Sequence, residues 1–508
     1  MVARLVNEAH RAHALMVLGT ASHAGKSLIA TALCRILARR GVRVAPFKAQ
    51  NMSLNSAATP DGLEIGRAQA LQAEAAGLAA RADMNPVLLK PMSSTGSQAI
   101  VNGRIFGTMH SRDFLGDGKR ALWPHVVAAY ERLAAEFDVL VIEGAGSPAE
   151  INLRASDIVN MAVAHLADAR CLLVADIDRG GAFAAVAGTL ALLDEADRAR
   201  INAYAFNKFR GDASLLEGGI ADLSARLRIP CAGIVPYFDT TGLDEEDGVA
   251  VERRSDRAWR ADGDRLRIAV VALPHLANFT DFDALEEEPG VDLVYTRSPE
   301  TIARADVVML PGTKDTIGDL QWLRACGLDR AIIAHSRRED AIVVGICGGM
   351  QMLGTAIEDP LGVERGGSCA GIGLLDLRSV FSAEKTTLPV RGETRAFGKP
   401  IELAGYEIHV GVTTYAAKTP PFAELKHGGN DAPTRDGAIS GDGGVLGTYL
   451  HGLFATDAAR HAFLAWACER LHRAAPAAFS YTQARRGARL ETLADTVEGA
   501  LDLRALLT

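Results

Sequence analysis

The stretch Ala341–Gly354, AIVVGICGGMQMLG, sets a thiol where a nucleophile would sit. The β-branched run Ile342–Val344 reads as a buried strand, and Met350, Met352 and Leu353 read as the first turns of a helix. Cys347 lies at the switch between them, with Gly345 two positions before it and Gly349 two after. A sharp strand-to-helix elbow needs small residues there, because side chains would meet neighbouring backbone. A helix N-terminus also favours the thiolate form of a cysteine placed at it. The plainer reading is a small buried core residue, the common fate of a free cysteine. A nucleophilic thiol needs a base. His451, in GTYLHGLF after the apolar run Val445–Leu450, is the candidate, since a histidine distant in sequence can still meet the thiol. His409 in GYEIHVG, on one strand face with Glu407, is the rival base or the half of a structural polar pair.

A second chemical constellation stands near the N-terminus. Leu15–Leu18 reads as a strand, GTASHAGKS as a loop and Leu28–Arg39 as an apolar-periodic helix, the context a phosphate-binding loop requires. Backbone N–H groups of the loop and helix start would cradle phosphates. Gly19, Thr20, Gly25, Lys26 and Ser27 are the nucleotide-binding candidates, with Lys26 on the outer phosphates and Ser27 on Mg²⁺. The first glycine lies one position further from Gly25-Lys26 than G-x-x-x-x-G-K demands. Glu143 ends the buried strand of FDVLVIEGAG and is the second candidate for Mg²⁺ or its water. Polar residues that follow strands mark where a second substrate would sit: Lys48, Gln50, Asn51 and Asn55 after Pro46, Asp157 in SPAEINLRASDIVNM, and Asp178 and Arg179 in DIDRGGAFA. Each of these stretches also reads as an ordinary solvated loop or turn.

These residues need elements to hold them. Strand-then-helix order recurs through both halves, which predicts α/β architecture with two doubly wound, mostly parallel sheets. At 508 residues the chain is long enough for two to four domains. Residues 239–264, with DEEDG and ERRSDRAWRADGD, are charged and lack apolar periodicity, so they read as a linker. The expected division is 1–238, the linker 239–264, 265–460, and a C-terminal helical segment 461–508 with an apolar tail from Leu490 to Leu507. A net charge of −8 without long blocks argues against nucleic acid as a partner. No apolar run spans a bilayer, no secretory signal is evident, and the seven cysteines include no C-x-x-C. The expectation is a cytoplasmic protein with no membrane and no disulfide framework.

The elbow G-x-C-x-G and the strand-end histidine resemble the triad-type class I glutamine amidotransferases, which hydrolyse glutamine to ammonia and glutamate. That resemblance implies backbone N–H groups of Gly312, in LPGTKDT, and of Gly348 as an oxyanion hole. Most of that family carries a Glu two residues after the histidine. Leu453 stands there, so the partner that orients His451 is open. GTASHAGKS, with its additional residue, resembles the dethiobiotin-synthetase-like branch of P-loop enzymes, and Asn207-Lys208 after a late strand resembles the base-reading pair of P-loop proteins.

PFKAQNMSLNS, EGAGSPAEINLR, DIDRGGAFA and NKFRGD, in this order, look like cobyric acid synthases, and the likeness runs from Gly19 to Phe454. It implies a P-loop synthetase domain followed by a glutamine amidotransferase domain. The implied reaction is ATP-dependent amidation of four peripheral carboxylates (b, d, e and g) of adenosylcobyrinic acid a,c-diamide, with glutamine as co-substrate and Mg²⁺ as cofactor. Cobyrinic acid a,c-diamide synthase and a Mur-ligase-associated glutaminase system are the enzyme alternatives, and PFKAQNMSLNS favours cobyric acid synthase over the first. A ParA-like positioning ATPase is the non-enzyme alternative, with no use for an elbow cysteine and a distant histidine.

Overall fold

A computed structural model describes residues 12–92, 96–110, 117–239, 243, 259–260, 265–428, 432–476 and 483–507. Most of the stretch 239–264, expected as a linker, lies outside the described residues.

The first half is built on six parallel strands in the spatial order Cys231–Pro236, Ile201–Phe209, Arg170–Asp176, His13–Gly19, Val139–Glu143, Val44–Phe47. Val139–Glu143 is buried at every position, as a strand covered on both faces must be. One face packs on Val126, Tyr130, Leu133 and Met161. The other packs on Ile29, Leu33 and Ile36 of the helix Lys26–Arg39. The C-terminal helix Gln483–Ala500 returns to this domain: Leu490, Leu493, Ala494 and Val497 join the same core. Arg486 pairs with Glu74 at 2.9 Å across that contact.

The second half repeats the scheme. Its sheet runs Val291–Thr296, Leu266–Val271, Val307–Leu310, Ile342–Ile346, Val445–Thr448, Ala438–Ile439, parallel except for the last. The helix Asp457–Arg470 packs into this core through Phe463, Leu464 and Ala467.

Two features go beyond the parallel sheets read from the sequence. Leu377–Thr394 and Ile401–Tyr415 form a long antiparallel pair in a separate mixed sheet. In the first half, Gln50–Met52, Val87–Pro91, Gly96–Val101 and Arg104–His110 form a small sheet, beside a hairpin of Ser56–Ala58 and Glu64–Gly66. This hairpin region meets the second half. The Ser56 N–H donates to Asn278 Oδ1 at 3.0 Å, the Phe279 N–H donates to Asn55 Oδ1 at 3.3 Å, and Arg67 donates to the Tyr406 hydroxyl.

Candidate functional site

Four adjacent strands of the second sheet end at one place. Ile342–Ile346 delivers Cys347, and the helix Gly348–Leu353 begins directly after it. Cys347 has φ 52°, a left-handed conformation that costs a residue with a Cβ energy, so the elbow is strained. Its glycine neighbours show why they are needed. A Cβ on Gly345 would lie 2.7 Å from the Met350 nitrogen, and one on Gly349 would collide with the Leu310 carbonyl. The Cys347 N–H donates to the Thr448 carbonyl at 2.8 Å, tying the elbow to the strand that precedes His451.

His451 Nδ1 lies 2.7 Å from Asp281 Oδ2, and the other oxygen of Asp281 accepts from the Gly452 N–H at 2.8 Å. Burial alone would push the imidazole pKa down. The Asp281 carboxylate and the neighbouring Cys347 side chain outweigh that and hold it at about 10. Asp281 comes from a short helical turn, Phe279–Phe282, in the loop after Leu266–Val271. This is the orienting partner that sequence reasoning left open. Leu453, at the position of the usual Glu, is a core residue instead. The only signal available was an acidic loop, ANFTDFDAL, with nothing to separate Asp281 from Asp283.

Gly312 follows Val307–Leu310 and accepts from the Ala277 N–H at 2.9 Å. A Cβ built on it would sit 3.2 Å from His451 Cε1 and 3.8 Å from Cys347 Cβ; one on Gly348 would sit 3.1 Å from the Thr313 nitrogen. Gly312 and Thr313 therefore flank the thiol. A cleft opens here, lined by Cys347, His451, Gly312, Asn278 and Gln351. His409 also lines it, but Nδ1 is 2.9 Å from the Gly411 carbonyl, the ring stacks on Tyr449, and Nε2 is 3.7 Å from Glu407.

The other centre lies at the strand ends of the first sheet, where His13–Gly19 has a neighbour on each side. Gly25 has φ 98° and no room for a side chain, because Asn207 Nδ2 occupies that space on its way to the Ala24 carbonyl at 2.9 Å. Lys26 is buried and its Nζ donates to the Ala21 and Gly146 carbonyls at 3.0 and 3.1 Å. The Ser27 hydroxyl donates to Glu143 Oε1 at 2.7 Å, so the two Mg²⁺ candidates are adjacent. A hydroxyl and a carboxylate are hard oxygen donors that fit Mg²⁺. Among the described residues no cluster of three or more His, Cys, Asp or Glu forms a cage, as expected for an ion that takes further oxygens from phosphates and water. Glu143 also takes Lys48 Nζ at 2.9 Å and Gln72 Nε2 at 2.6 Å. Gln72 lies on the helix Arg67–Ala75 and was not singled out from the sequence. Lys208 reaches the His23 carbonyl at 2.6 Å and Asp176 at 2.8 Å. Thr20 starts the loop, its N–H donating to the Val174 carbonyl at 2.9 Å.

The remaining sequence candidates divide. Lys48 belongs to the Glu143 cluster. Gln50 is buried, and Asn51 donates to Gln69 at 3.0 Å. Asn55 sits at the contact between the two halves. Asp157 caps a turn, accepting from the Val159 and Asn160 N–H groups at 2.9 Å. Asp178 is 3.8 Å from Arg210, and Arg179 is 3.8 Å from Asp176, at the rim.

Residues 15–250 match the CobQ/CobB/MinD/ParA nucleotide binding domain, and residues 267–459 match the CobB/CobQ-like glutamine amidotransferase domain. Cobyric acid synthase of Sorangium cellulosum (strain So ce56) is 50% identical over 97% of this chain and 97% of its own length. The chain belongs to the cobyric acid synthase family. Cobyric acid synthase of Moorella thermoacetica is 46% identical over 97% of this chain and 96% of its own. Membership in this family places the chain among carbon–nitrogen ligases of cobalamin biosynthesis that take the amide nitrogen from glutamine. A solved glutamine amidotransferase matches 40% of the chain and 98% of its own, at 16% identity and a TM-score of 0.30.

Proposed function

We propose that the chain converts adenosylcobyrinic acid a,c-diamide to adenosylcobyric acid, amidating four carboxylates in turn. The observation that carries this reading is an imidazole held by a carboxylate and neighbouring a thiol in one cleft, joined in one chain to a P-loop whose Ser27 and Glu143 are in contact.

In the second half, His451 takes the Cys347 proton, and the thiolate attacks the amide carbon of glutamine. Asp281 holds Nδ1–H and stabilises the imidazolium that forms when Nε2 carries the thiol proton. The Gly312 and Gly348 N–H groups receive the developing oxyanion. His451 then gives the proton to leaving ammonia, and water releases glutamate from the thioester. In the first half, Lys26 and the loop N–H groups hold the phosphates of ATP, and Asn207 and Lys208 lie on the base side. A corrinoid carboxylate attacks the outer phosphoryl group to give an acyl phosphate, and ammonia displaces phosphate. Ser27 and Glu143 would hold Mg²⁺, which neutralises charge on the phosphates when bound. Lys48, Gln50, Asn51, Asn55, Asp157, Asp178 and Arg179 are proposed to border the corrinoid.

Among the described residues no helix is long and apolar enough to cross a membrane, and all seven cysteines are free. Both suit a cytoplasmic enzyme acting on a small molecule. The test is stoichiometry. Each amide formed should be matched by one ADP and one glutamate; ADP release that continues without amide formation would refute the coupled reaction.

A further inference from the structure

The glutamine cleft is not built from the second half alone. Lys90, on the strand Val87–Pro91 of the first half, and Lys385, on Leu377–Thr394 of the second, both line it. They share one carboxylate. Lys90 Nζ is 2.7 Å from Glu64 Oε1, and Lys385 pairs with Glu64 Oε2. Lys90 also donates to the Ser56 hydroxyl at 2.9 Å. Lys90 and Glu64 are buried, and the Lys385 side chain is 10% exposed. Nearby, Lys314 faces Glu364 at 3.7 Å, and Glu364 accepts from the Thr316 N–H at 2.9 Å.

Two quantities do not balance. Three lysines stand against two carboxylates in a buried place. An ammonium has three N–H donors. Among the described residues Lys90 uses two and Lys385 one, which leaves three donors at the cleft wall. Burial without full pairing is costly, and it pushes the Lys385 amine down to about 7, aided by Lys90 and Lys314 and opposed by Glu64. A bound carboxylate would supply both a third carboxylate and the missing acceptors.

We infer that Lys90 and Lys385, bridged by Glu64, bind the α-carboxylate of glutamine. This rests on the glutamine reading above and adds that the substrate-recognition site is shared: one lysine comes from the synthetase half. Glutamine binding would then depend on the docked arrangement of the two halves.

The experiment uses the full-length protein and compares L-glutamine with L-glutaminamide, which keeps the reactive amide but lacks the α-carboxylate. Wild type should prefer glutamine by roughly 10–100-fold in kcat/KM, the weight of a charge-assisted hydrogen bond. Lys385→Met and Lys90→Met should each raise KM for glutamine by a factor of that order, leave kcat within a few-fold, and leave glutaminamide hydrolysis unchanged. Lys385→Arg should keep the preference. Ammonia-dependent amidation verifies that each variant is folded. A wild type that hydrolyses both compounds equally well overturns the inference without any variant. So does a variant that loses both activities together, or one that keeps its glutamine KM but leaks ammonia, which would make the cluster a barrier between sites. No glutamine hydrolysis by wild type would refute the underlying reading itself.

Discussion

Asp281→Asn isolates the residue the sequence did not reveal. The carboxylate serves two donors, His451 Nδ1 at 2.7 Å and the Gly452 N–H at 2.8 Å. An amide has only one oxygen. The Gly452 N–H is fixed backbone and claims it, so the NH₂ group must face Nδ1. That favours the tautomer with its proton on Nε2, which cannot accept the thiol proton. The pocket is buried, so water does not restore the lost contact. Loss of general base catalysis costs about 10²–10⁴-fold, or about 2.7–5.4 kcal/mol of barrier. The lower end is expected, because a cysteine is intrinsically nucleophilic. The assay is glutamate release, with ammonia-dependent amidation as the control that should hold. A second readout is stability against pH. His451 is raised from 6.5 to about 10, so its contribution to folding is fully present below about 6.5 and is lost as pH rises through about 10. The stability gap between wild type and Asp281→Asn should therefore shrink over that window. A folded variant with glutaminase activity within twofold of wild type would refute the assignment.

Cys347→Ser should abolish glutamine-dependent amidation and spare the ammonia-dependent reaction; loss of both in a folded variant contradicts two separate centres. Lys26→Ala should stop amidation with either nitrogen source while glutamate release persists at least in part, and normal amidation would show that GTASHAGKS is not the phosphate loop. His451→Ala should lower glutamate release by roughly 10²–10⁴-fold, and His409→Ala far less, because His409 is engaged with Gly411 and Tyr449. If only the His409 variant is inactive, the base is His409.

The elbow and the phosphate loop were legible because their demands are local. Gly345 and Gly349 are dictated by backbone within a few residues or on the adjacent strand, and Gly25 by a positive φ. The alternation of buried strands and amphipathic helices likewise announced two parallel sheets. Asp281 was hidden because it meets His451 across the sheet, 170 positions away in sequence, from a loop with two similar aspartates. The apolar tail from Leu490 to Leu507 was legible as part of a helical segment, but the packing of its residues Leu490, Leu493, Ala494 and Val497 in the core that holds the helix Lys26–Arg39 was not. Lys90, Glu64 and Lys385 carry no pattern at all; only the fold puts two distant strands and a hairpin edge together.

The central claim is that glutamine nitrogen, released at Cys347, reaches corrinoid carboxylates activated at the P-loop. The direct measurement is product mass after incubation with ATP, Mg²⁺, adenosylcobyrinic acid a,c-diamide and glutamine labelled with heavy nitrogen at the side-chain amide, in the presence of unlabelled ammonium. The account predicts four new amides in the final product, each carrying the label. A product without label, or no amide formed on this substrate by active enzyme, would contradict it.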